Sequence, residues 1–336
     1  MTKSIINRSF PEKIALITSA GDISYSQLLK HIQRYASLFA GKAYSRVAIY
    51  AENSPEWIYA FYAALQNNCI AIPIDFLASA EDVTYILDDC SPDLLFISSG
   101  MQEAYSGISN QIKKKPELLV FENIAPDDTV AESQWTGPDS DDTTAVIIYT
   151  SGTTGSPKGV MLSYTNLRAN MDAVIECGIF TSDRQVMIFL PMHHIFPLLG
   201  SMMVSFYAGT TVPMAPSMQS SDLMKTFTSN QIGIFIGVPR LYELMYRGIK
   251  AKIDQSAVGR LMLAFVLKTK NRKLGRILFS KVHQGFGGHL QFMVAGGAAL
   301  NKEVGAFFYG IGFDIMEGYG MTEAAPMITF PRPGKI

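Results

Sequence analysis

The residues best suited to chemistry lie in a loop rich in glycine and hydroxyl side chains. The loop directly follows the apolar run 145–149 and consists of Thr150, Ser151, Gly152, Thr153, Thr154, Gly155, Ser156, Pro157, Lys158 and Gly159. Glycines let main-chain N–H groups turn inward, hydroxyl groups add donors, and Lys158 adds a positive charge. This combination suits a polyphosphate, and α/β proteins usually bind ligands at the end of a buried strand. The alternative is an ordinary flexible turn.

The loop differs from a Walker phosphate-binding loop. The Walker motif has a serine or threonine directly after its lysine, so that the hydroxyl group can bind Mg²⁺. Here Lys158 follows Pro157 and precedes Gly159. The sequence therefore argues against a Walker-type NTPase.

Four stretches together resemble the motifs of the adenylate-forming superfamily, which includes acyl-CoA synthetases, luciferases and peptide-synthetase adenylation domains. Tyr149–Val160 is similar to the signature loop, and Leu190–Phe196 is similar to the Pro-x-x-His element. Gly296–Leu300 resembles the glycine–alanine segment of the adenylate pocket, and Gly318–Glu323 resembles the Tyr-Gly-x-Thr-Glu element. The motifs occur in the family's order and the similarity covers the whole chain.

The resemblance implies a reaction with ATP, Mg²⁺ and coenzyme A. A carboxylate attacks the α-phosphate, pyrophosphate leaves, and the acyl-adenylate reacts with a thiol. Because attacker and triphosphate are both anionic, catalysis depends on charge neutralisation and positioning. The implied catalytic residues are His194, Thr322, Glu323 and Lys158, and the expected Mg²⁺ ligands are Thr150 and Glu323. Taken alone, a histidine in an apolar run is usually a core residue, and a Thr-Glu pair usually begins a helix.

The same resemblance implies the nucleotide-binding residues. Tyr319 can stack on adenine, and Glu317 can accept a hydrogen bond from the exocyclic amine. The full expected ATP-binding set is Thr150, Ser151, Gly152, Thr153, Thr154, Gly155, Lys158, His194, Gly297, Glu317, Gly318, Tyr319 and Thr322.

The segment Val238–Glu243 resembles one typical of long-chain acyl-CoA synthetases, so the expected substrate is a fatty acid and not an amino acid or an aryl acid. The acyl pocket is predicted to be apolar and partly rich in methionine, which adapts to a flexible chain. Its expected residues, each equally interpretable as ordinary core, are Phe196, Met202, Met203, Phe206, Val238, Met293 and Met316. The acceptor is coenzyme A or an acyl carrier protein, and a non-catalytic nucleotide-binding domain is the third hypothesis.

A basic segment extends from Lys250 to Lys281, with nine basic residues against one acid, Asp254. Such a run is usually a solvated helical face. The functional alternative is a docking surface for CoA phosphates, an acidic carrier protein or a membrane that carries fatty acid.

The elements that must position these residues alternate between strand and helix. Apolar runs without strict alternation predict buried strands at 46–50, 69–74, 93–97, 145–149, 186–190, 232–236, 290–294 and 313–316. Helices are predicted between most of them, with Ser24, Ser54 and Ser79 at helix starts. This alternation predicts parallel sheets that are covered by helices, so the predicted fold class is α/β.

Two packed subdomains are predicted, residues 1–190 and 191–336. Relatives continue further, so the chain resembles an N-terminal fragment that lacks a β-barrel subdomain and a C-terminal lid domain with an essential lysine. Alone it is expected to bind nucleotide weakly and to be inactive or slow.

Composition sets the remaining expectations. The net charge of −1 gives no general attraction to nucleic acid, and three cysteines without Cys-x-x-Cys spacing suggest reduced thiols in the cytoplasm. The apolar stretch 188–209 contains His193, His194 and two prolines, so it is interpreted as buried strand, loop and helix and not as a membrane span. Peripheral membrane contact stays open, and the oligomeric state is not predicted.

Overall fold

Strands and helices alternate along the chain in the computed structural model, which describes residues 4–127, 129–135, 137–138, 142–150 and 155–333. The strands are β1 (Ile14–Thr18), β2 (Gly21–Ser24), β3 (Arg46–Tyr50), β4 (Ile70–Ile74), β5 (Leu94–Ile97), β6 (Glu117–Val120), β7 (Thr144–Thr150), β8 (Lys158–Ser163), β9 (Gln185–Val186), β10 (Val212–Pro213), β11 (Ile232–Gly237), β12 (Phe292–Ala295), β13 (Asp314–Glu317), β14 (Tyr319–Gly320) and β15 (Met327–Thr329).

The α-helices are α1 (Tyr25–Ser37), α2 (Pro55–Gln66), α3 (Ala80–Cys90), α4 (Gln102–Ile108), α5 (Tyr164–Glu176), α6 (Ile195–Pro197), α7 (Val204–Ala208), α8 (Ser220–Ser229), α9 (Pro239–Asp254), α10 (Ala257–Thr269), α11 (Arg272–Leu278), α12 (Ser280–Gly285) and α13 (Lys302–Gly310). Short 3₁₀ turns lie at Ser99–Met101, Phe121–Asn123 and Thr322–Ala324, and a π-helical turn lies at Leu198–Met203.

Three predicted helix starts are confirmed. The Ser24 hydroxyl accepts from the N–H of Gln27, whose side chain in turn accepts from the N–H of Ser24, so α1 begins with a complete capping box. Ser54 caps α2, and Ser79 caps α3. These contacts satisfy main-chain donors that a helix start otherwise leaves unpaired.

The described chain divides into two compact units. As far as they are described, residues 4–16, 22–169 and 191–198 form the first unit, and residues 17–21, 170–190 and 199–333 form the second. A single boundary after residue 190 does not represent these discontinuous segments.

The first unit contains a six-stranded sheet in the order β6-β5-β3-β4-β7-β8. Its strands are parallel except β8, which pairs antiparallel with β7 at the edge. Strands β3, β4 and β5 are almost wholly buried, as expected for parallel strands covered on both faces. The carboxyl ends of β3, β4 and β7 therefore lie at one edge of the sheet.

The second unit contains a parallel sheet in the order β13-β12-β11-β9. All six residues of β11 are buried, and aromatic and aliphatic side chains from the strands and from the helices α8 to α13 form the surrounding core. The carboxyl ends of β11, β12 and β13 again share one edge. The predicted α/β class is confirmed.

The apolar stretch 188–209 forms short elements. Ile188 makes a single parallel bridge to Met214, and the π-helical turn and α7 follow α6. No helix among the described residues is long and apolar enough to cross a membrane.

Candidate active site

The predicted phosphate loop is the connection of a β-hairpin in the first unit. Thr150 at the end of β7 lies opposite Lys158 at the start of β8, and Tyr149 lies opposite Gly159. Gly155 has φ of +109°, a main-chain conformation that favours glycine. Ser151, Gly152, Thr153 and Thr154 lie outside the described residues.

This geometry agrees with the sequence argument against a Walker loop. A Walker loop leads into a helix, whose N-terminal amides face the phosphates. The chain here leads instead from β7 into β8, and Lys158 is the first residue of that strand. Lys158 is exposed, and within the described part of the chain no carboxylate pairs with it.

Close packing holds the base of the hairpin. A β-carbon at Gly159 would lie 2.8 Å from Cγ2 of Ile147 and 3.1 Å from Cζ of Tyr149, so only glycine fits there without a shift. The Tyr149 hydroxyl donates to Oδ2 of Asp89 at 2.6 Å. Burial and this carboxylate raise the pKa of Tyr149, so the hydroxyl stays protonated and keeps donating.

A histidine pair lies at the same sheet edge of the first unit. Nε2 of His193 lies 3.1 Å from Nε2 of His194 and 3.4 Å from Oδ1 of Asp75, which directly follows β4. Oδ1 of Asn53, which comes after β3, accepts from the N–H of Met192 at 2.9 Å. Because β4 is parallel to β7, the turn that bears His194 is fixed at the edge where the phosphate loop begins.

The hydrogen-bond pattern assigns opposite tautomers to the two rings. Nε2 of His193 faces both a carboxylate and Nε2 of His194, so it is the nitrogen that carries hydrogen. His194 then presents a lone pair at Nε2 and an N–H at Nδ1. His193 is buried, whereas His194 is exposed and can contact a substrate.

Both histidines are neutral near pH 7. Burial lowers the pKa of His193 from 6.5 to about 4, with a further lowering by His194 that outweighs the opposing effect of Asp75. Partial burial of its ring also lowers the pKa of His194, against the attraction of Asp75. A neutral His194 can contact an anionic ligand as a hydrogen-bonding group and not as a fixed cation.

The lowered pKa of His193 predicts loss of stability in acid. The unfolded chain binds a proton at His193 below pH 6.5, whereas the folded chain does so only near pH 4. Stability from this residue is therefore complete above pH 6.5 and falls by about 2–3 kcal/mol as the pH approaches 4. Urea unfolding followed by tryptophan fluorescence measures this, since Trp57 and Trp135 both lie in the first unit.

His193→Asn should flatten this pH dependence. The matched control is His289→Asn, an exposed histidine whose replacement should leave the slope unchanged. Equal slopes for the wild type and the His193 variant between pH 4 and 6.5 would contradict the prediction.

The predicted adenine-binding residues come together within the second unit. The N–H of Gly318, after β13, donates to the carbonyl of Ala295 at 2.8 Å, and Oε1 of Glu317 accepts from the N–H of Leu300 at 2.8 Å. Gly297 has φ of +82°, with Val238 beside it. Glu317, which is exposed, therefore holds the 296–300 loop through Oε1.

The Thr322–Glu323 turn is anchored by a residue that the sequence interpretation missed. Asn170 donates through Nδ2 to the carbonyl of Ala324 at 3.0 Å and accepts through Oδ1 from the N–H of Met327 at 2.8 Å. These contacts close the turn between β14 and β15. Tyr319 in β14 is 65% exposed and Glu323 is exposed, so both are accessible to a ligand.

Most of the predicted acyl-binding residues are covered by the protein's own atoms. In the second unit, fully buried side chains are Met202, Met203, Phe206, Met293 and Met316. Val238 there and Phe196 in the first unit are half-buried. Such burial is also expected of ordinary core residues, which was the alternative interpretation of these side chains. An acyl pocket at these residues therefore stays a prediction.

Clustered metal ligands are absent from the described part of the chain. Among those residues, no group of three or more His, Cys, Asp or Glu side chains could hold a metal ion. A Mg²⁺ ion that takes one or two protein oxygens and fills its shell with phosphate and water remains compatible with an exposed Glu323.

Comparison with known proteins gives the family context. The profile described as AMP-binding enzyme matches residues 6–336. Long-chain-fatty-acid–CoA ligase FadD15 of Mycobacterium bovis is 25% identical over 322 residues, which cover 84% of this chain and 52% of the relative. Mitochondrial malonate–CoA ligase ACSF3 of Bos taurus is 25% identical over 341 residues, which cover 96% of this chain and 54% of the relative. The chain thus spans about half the length of the curated relatives it matches.

Solved structures show the same fold. The N-terminal domain of FACL13 from Mycobacterium tuberculosis matches with a TM-score of 0.76 at 17% identity, over 96% of this chain and 75% of that domain. ATP-bound MatB from Rhodopseudomonas palustris matches with a TM-score of 0.77 at 22% identity, over 100% of this chain and 63% of that protein.

Proposed function

The chain belongs to the AMP-binding enzyme family, and on this premise we propose that it carries nucleotide- and acid-binding residues of an ATP-dependent acid–thiol ligase. In that reaction a carboxylate attacks the α-phosphate of ATP, pyrophosphate leaves, and a thiol then displaces AMP from the acyl-adenylate. The acid is a fatty acid, and coenzyme A is the acceptor.

One observation carries the proposal. In each unit the residues of the family motifs lie at the carboxyl edge of a parallel sheet, where open α/β sheets bind ligands. In the first unit these are the phosphate loop and the histidine pair, and in the second they are the glycine loop and the Glu317–Tyr319 segment.

Charge determines the roles of the first unit. The amides and hydroxyls of the phosphate loop and the cation of Lys158 hold the β- and γ-phosphates, because pyrophosphate must leave as an anion. His194, kept in one tautomer by His193 and Asp75, donates from Nδ1 toward the oxygen that gains charge at the α-phosphate. Because His194 is neutral, it forms no ion pair with the attacking carboxylate, and such an ion pair would hold the carboxylate away from the α-phosphate.

The second unit supplies the adenine and metal contacts. Tyr319 stacks on the adenine base, and the second carboxylate oxygen of Glu317 accepts from the exocyclic amine. Thr322 contacts the α-phosphate. Glu323 would hold Mg²⁺, which supplies neutralisation of phosphate charge when bound.

The proposed substrate class rests on the relatives, which include a long-chain-fatty-acid–CoA ligase at 25% identity. Malonate is the second candidate because ACSF3, a malonate–CoA ligase, is a relative at similar identity.

A pyrophosphate-release screen tests the proposal. The chain and the longest form that its gene encodes should be assayed with malonate and with monocarboxylates of increasing length, with and without coenzyme A. We expect release that grows with chain length and AMP release that needs coenzyme A. The chain alone should be slow, because Lys158 is the only permanent cation in the matched motifs.

The other outcomes separate the alternatives. If AMP is released only when a carrier protein is present, the acceptor is that carrier protein and not coenzyme A. ATP binding without carboxylate-dependent pyrophosphate release in either form would leave a nucleotide-binding domain and contradict the ligase proposal.

A further inference from the structure

Helix α10 in the second unit carries an apolar stripe on its outward face. Val258, Leu261 and Phe265 recur at the spacing of one helical face and are 64%, 72% and 52% exposed. The opposite face holds the buried Leu263 and Val266. Large apolar side chains in a contiguous exposed group mark an interaction surface more often than isolated ones do.

The next helix extends this surface. α11 packs against α10 and presents Ile277, which is 70% exposed, one turn after the exposed Lys273. We call the exposed side chains of Val258, Leu261, Phe265 and Ile277 the apolar face.

Exposed lysines occur in and directly after the helices that carry the apolar face. From residue 257 to residue 285 the sequence contains no acid and seven basic residues, which are Arg260, Lys268, Lys270, Arg272, Lys273, Arg276 and Lys281. The three arginines are engaged by Asp254, Asp314 and the main chain near Leu290. Lys268, Lys270, Lys273 and Lys281 are exposed, and the described carboxylates form no ion pair with them.

From these features we propose that α10 and α11 bind the surface of an anionic lipid membrane, with the apolar face inserted among the lipids. Apolar side chains at the boundary of the acyl region, with lysines reaching the head groups, are the pattern of a helix that lies in a membrane interface. The lysines add attraction to anionic lipid. This proposal does not depend on the ligase function.

Charge and composition decide against other occupants. A two-fold contact between copies would place the same lysines against one another, which is repulsive. Protein interfaces are depleted in lysine, and four lysines without partners are unusual at the border of one. A site for CoA phosphates requires converging donors, whereas the centre of this surface is Leu261 and Phe265.

Sedimentation with vesicles tests the proposal. Vesicles of phosphatidylcholine alone should bind the protein weakly, and vesicles that also contain phosphatidylglycerol should bind it more tightly, with weakening at high salt. Leu261→Gln with Phe265→Gln should lower the affinity for the mixed vesicles at least about tenfold. Lys268→Glu, Lys270→Glu and Lys273→Glu together should lower it about as much and remove the preference for anionic lipid.

Matched controls change exposed residues elsewhere. Met218→Gln with Met224→Gln removes two exposed apolar side chains near α8, and Lys30→Glu, Lys113→Glu and Lys115→Glu matches the charge change in the first unit. These controls should bind like the wild type. Because every changed residue is exposed, circular dichroism should show unchanged folding.

Four results would overturn the proposal. The first is that the wild type does not bind vesicles, and the second is that the variant with both Leu261 and Phe265 replaced binds them as tightly as the wild type. The third is that the wild type is a dimer and this variant is a monomer. The fourth is loss of vesicle binding in the longest encoded form, which would show that another segment of the protein covers the surface.

Discussion

Replacing His194 by alanine should lower the rate of carboxylate-dependent pyrophosphate release about 10²–10³-fold, the usual loss when one preorganised donor to a developing negative charge is removed. The loss should appear in kcat, with little change in the KM for ATP, because the proposed contact of His194 is with the α-phosphate and not with adenine. The assay should use the longest encoded form, in which the full rate is expected.

Two variants make this prediction specific. His289→Ala removes an exposed histidine outside the motifs and should leave the rate unchanged. His193→Asn should cause a smaller loss, because His193 acts only by positioning His194. A His194 variant that retains more than a tenth of the wild-type rate would contradict the assigned role.

Replacing Tyr242 by alanine should destabilise the second unit by about 3–5 kcal/mol, the range for removing a large buried aromatic side chain. Tyr242 is completely buried, and its ring packs edge-on against Phe235 and Phe308. Its hydroxyl lies 2.9 Å from the carbonyl oxygens of Phe235 and Val294, which belong to β11 and β12. Hydrogen exchange of the β11 and β12 amides measures the loss, because both tryptophans lie in the other unit.

Conservative and surface variants separate packing from hydrogen bonding at this position. Tyr242→Phe keeps the ring and should cost only about 1 kcal/mol. Tyr85→Ala, at an exposed position of α3, should change stability by less than about 0.5 kcal/mol. Unchanged exchange protection of β11 and β12 in the alanine variant would show that the core tolerates the cavity.

The Tyr242 contacts also change the meaning of a motif. Val238–Glu243 supported a fatty acid substrate because similar segments occur in long-chain acyl-CoA synthetases. In the structure, Tyr242 joins two strands, and a β-carbon at Gly237 would lie 3.2 Å from its ring. Part of the motif is therefore explained by packing, and Val238 lies beside Gly297.

Local chemistry made much of the fold predictable. Ser24, Ser54 and Ser79 signal helix starts through short contacts with residues three positions later, and buried strands such as β3 and β11 are continuous apolar runs. Strand β8 was missed because its first residues complete the glycine-rich loop and its apolar run, Val160–Leu162, is only three residues long. The predicted strand 186–190 is reduced to β9 and one bridge at Ile188.

The supporting residues of the candidate site were not predictable from short motifs. Asn53, Asp75 and Asn170 act on turns more than 100 residues away in the chain. The available signal was position, because polar residues that follow neighbouring parallel strands share an edge. That rule applies to Asn53 and Asp75, but not to Asn170, which lies within α5.

The discontinuous units constrain the order in which the protein can fold during synthesis. The first unit cannot form its Asp75–His193 contact until the ribosome has released residues 191–198. In the second unit, the carbonyl of Ile17 accepts from the N–H of Met214. The segment that contains Ile17 therefore cannot form this contact until about 200 further residues have been synthesised. Chains that end near residue 190 lack the later partners of Asp75 and Ile17, so these early segments should stay unpaired and need chaperones. Chains that end beyond residue 214 retain the residues of both contacts.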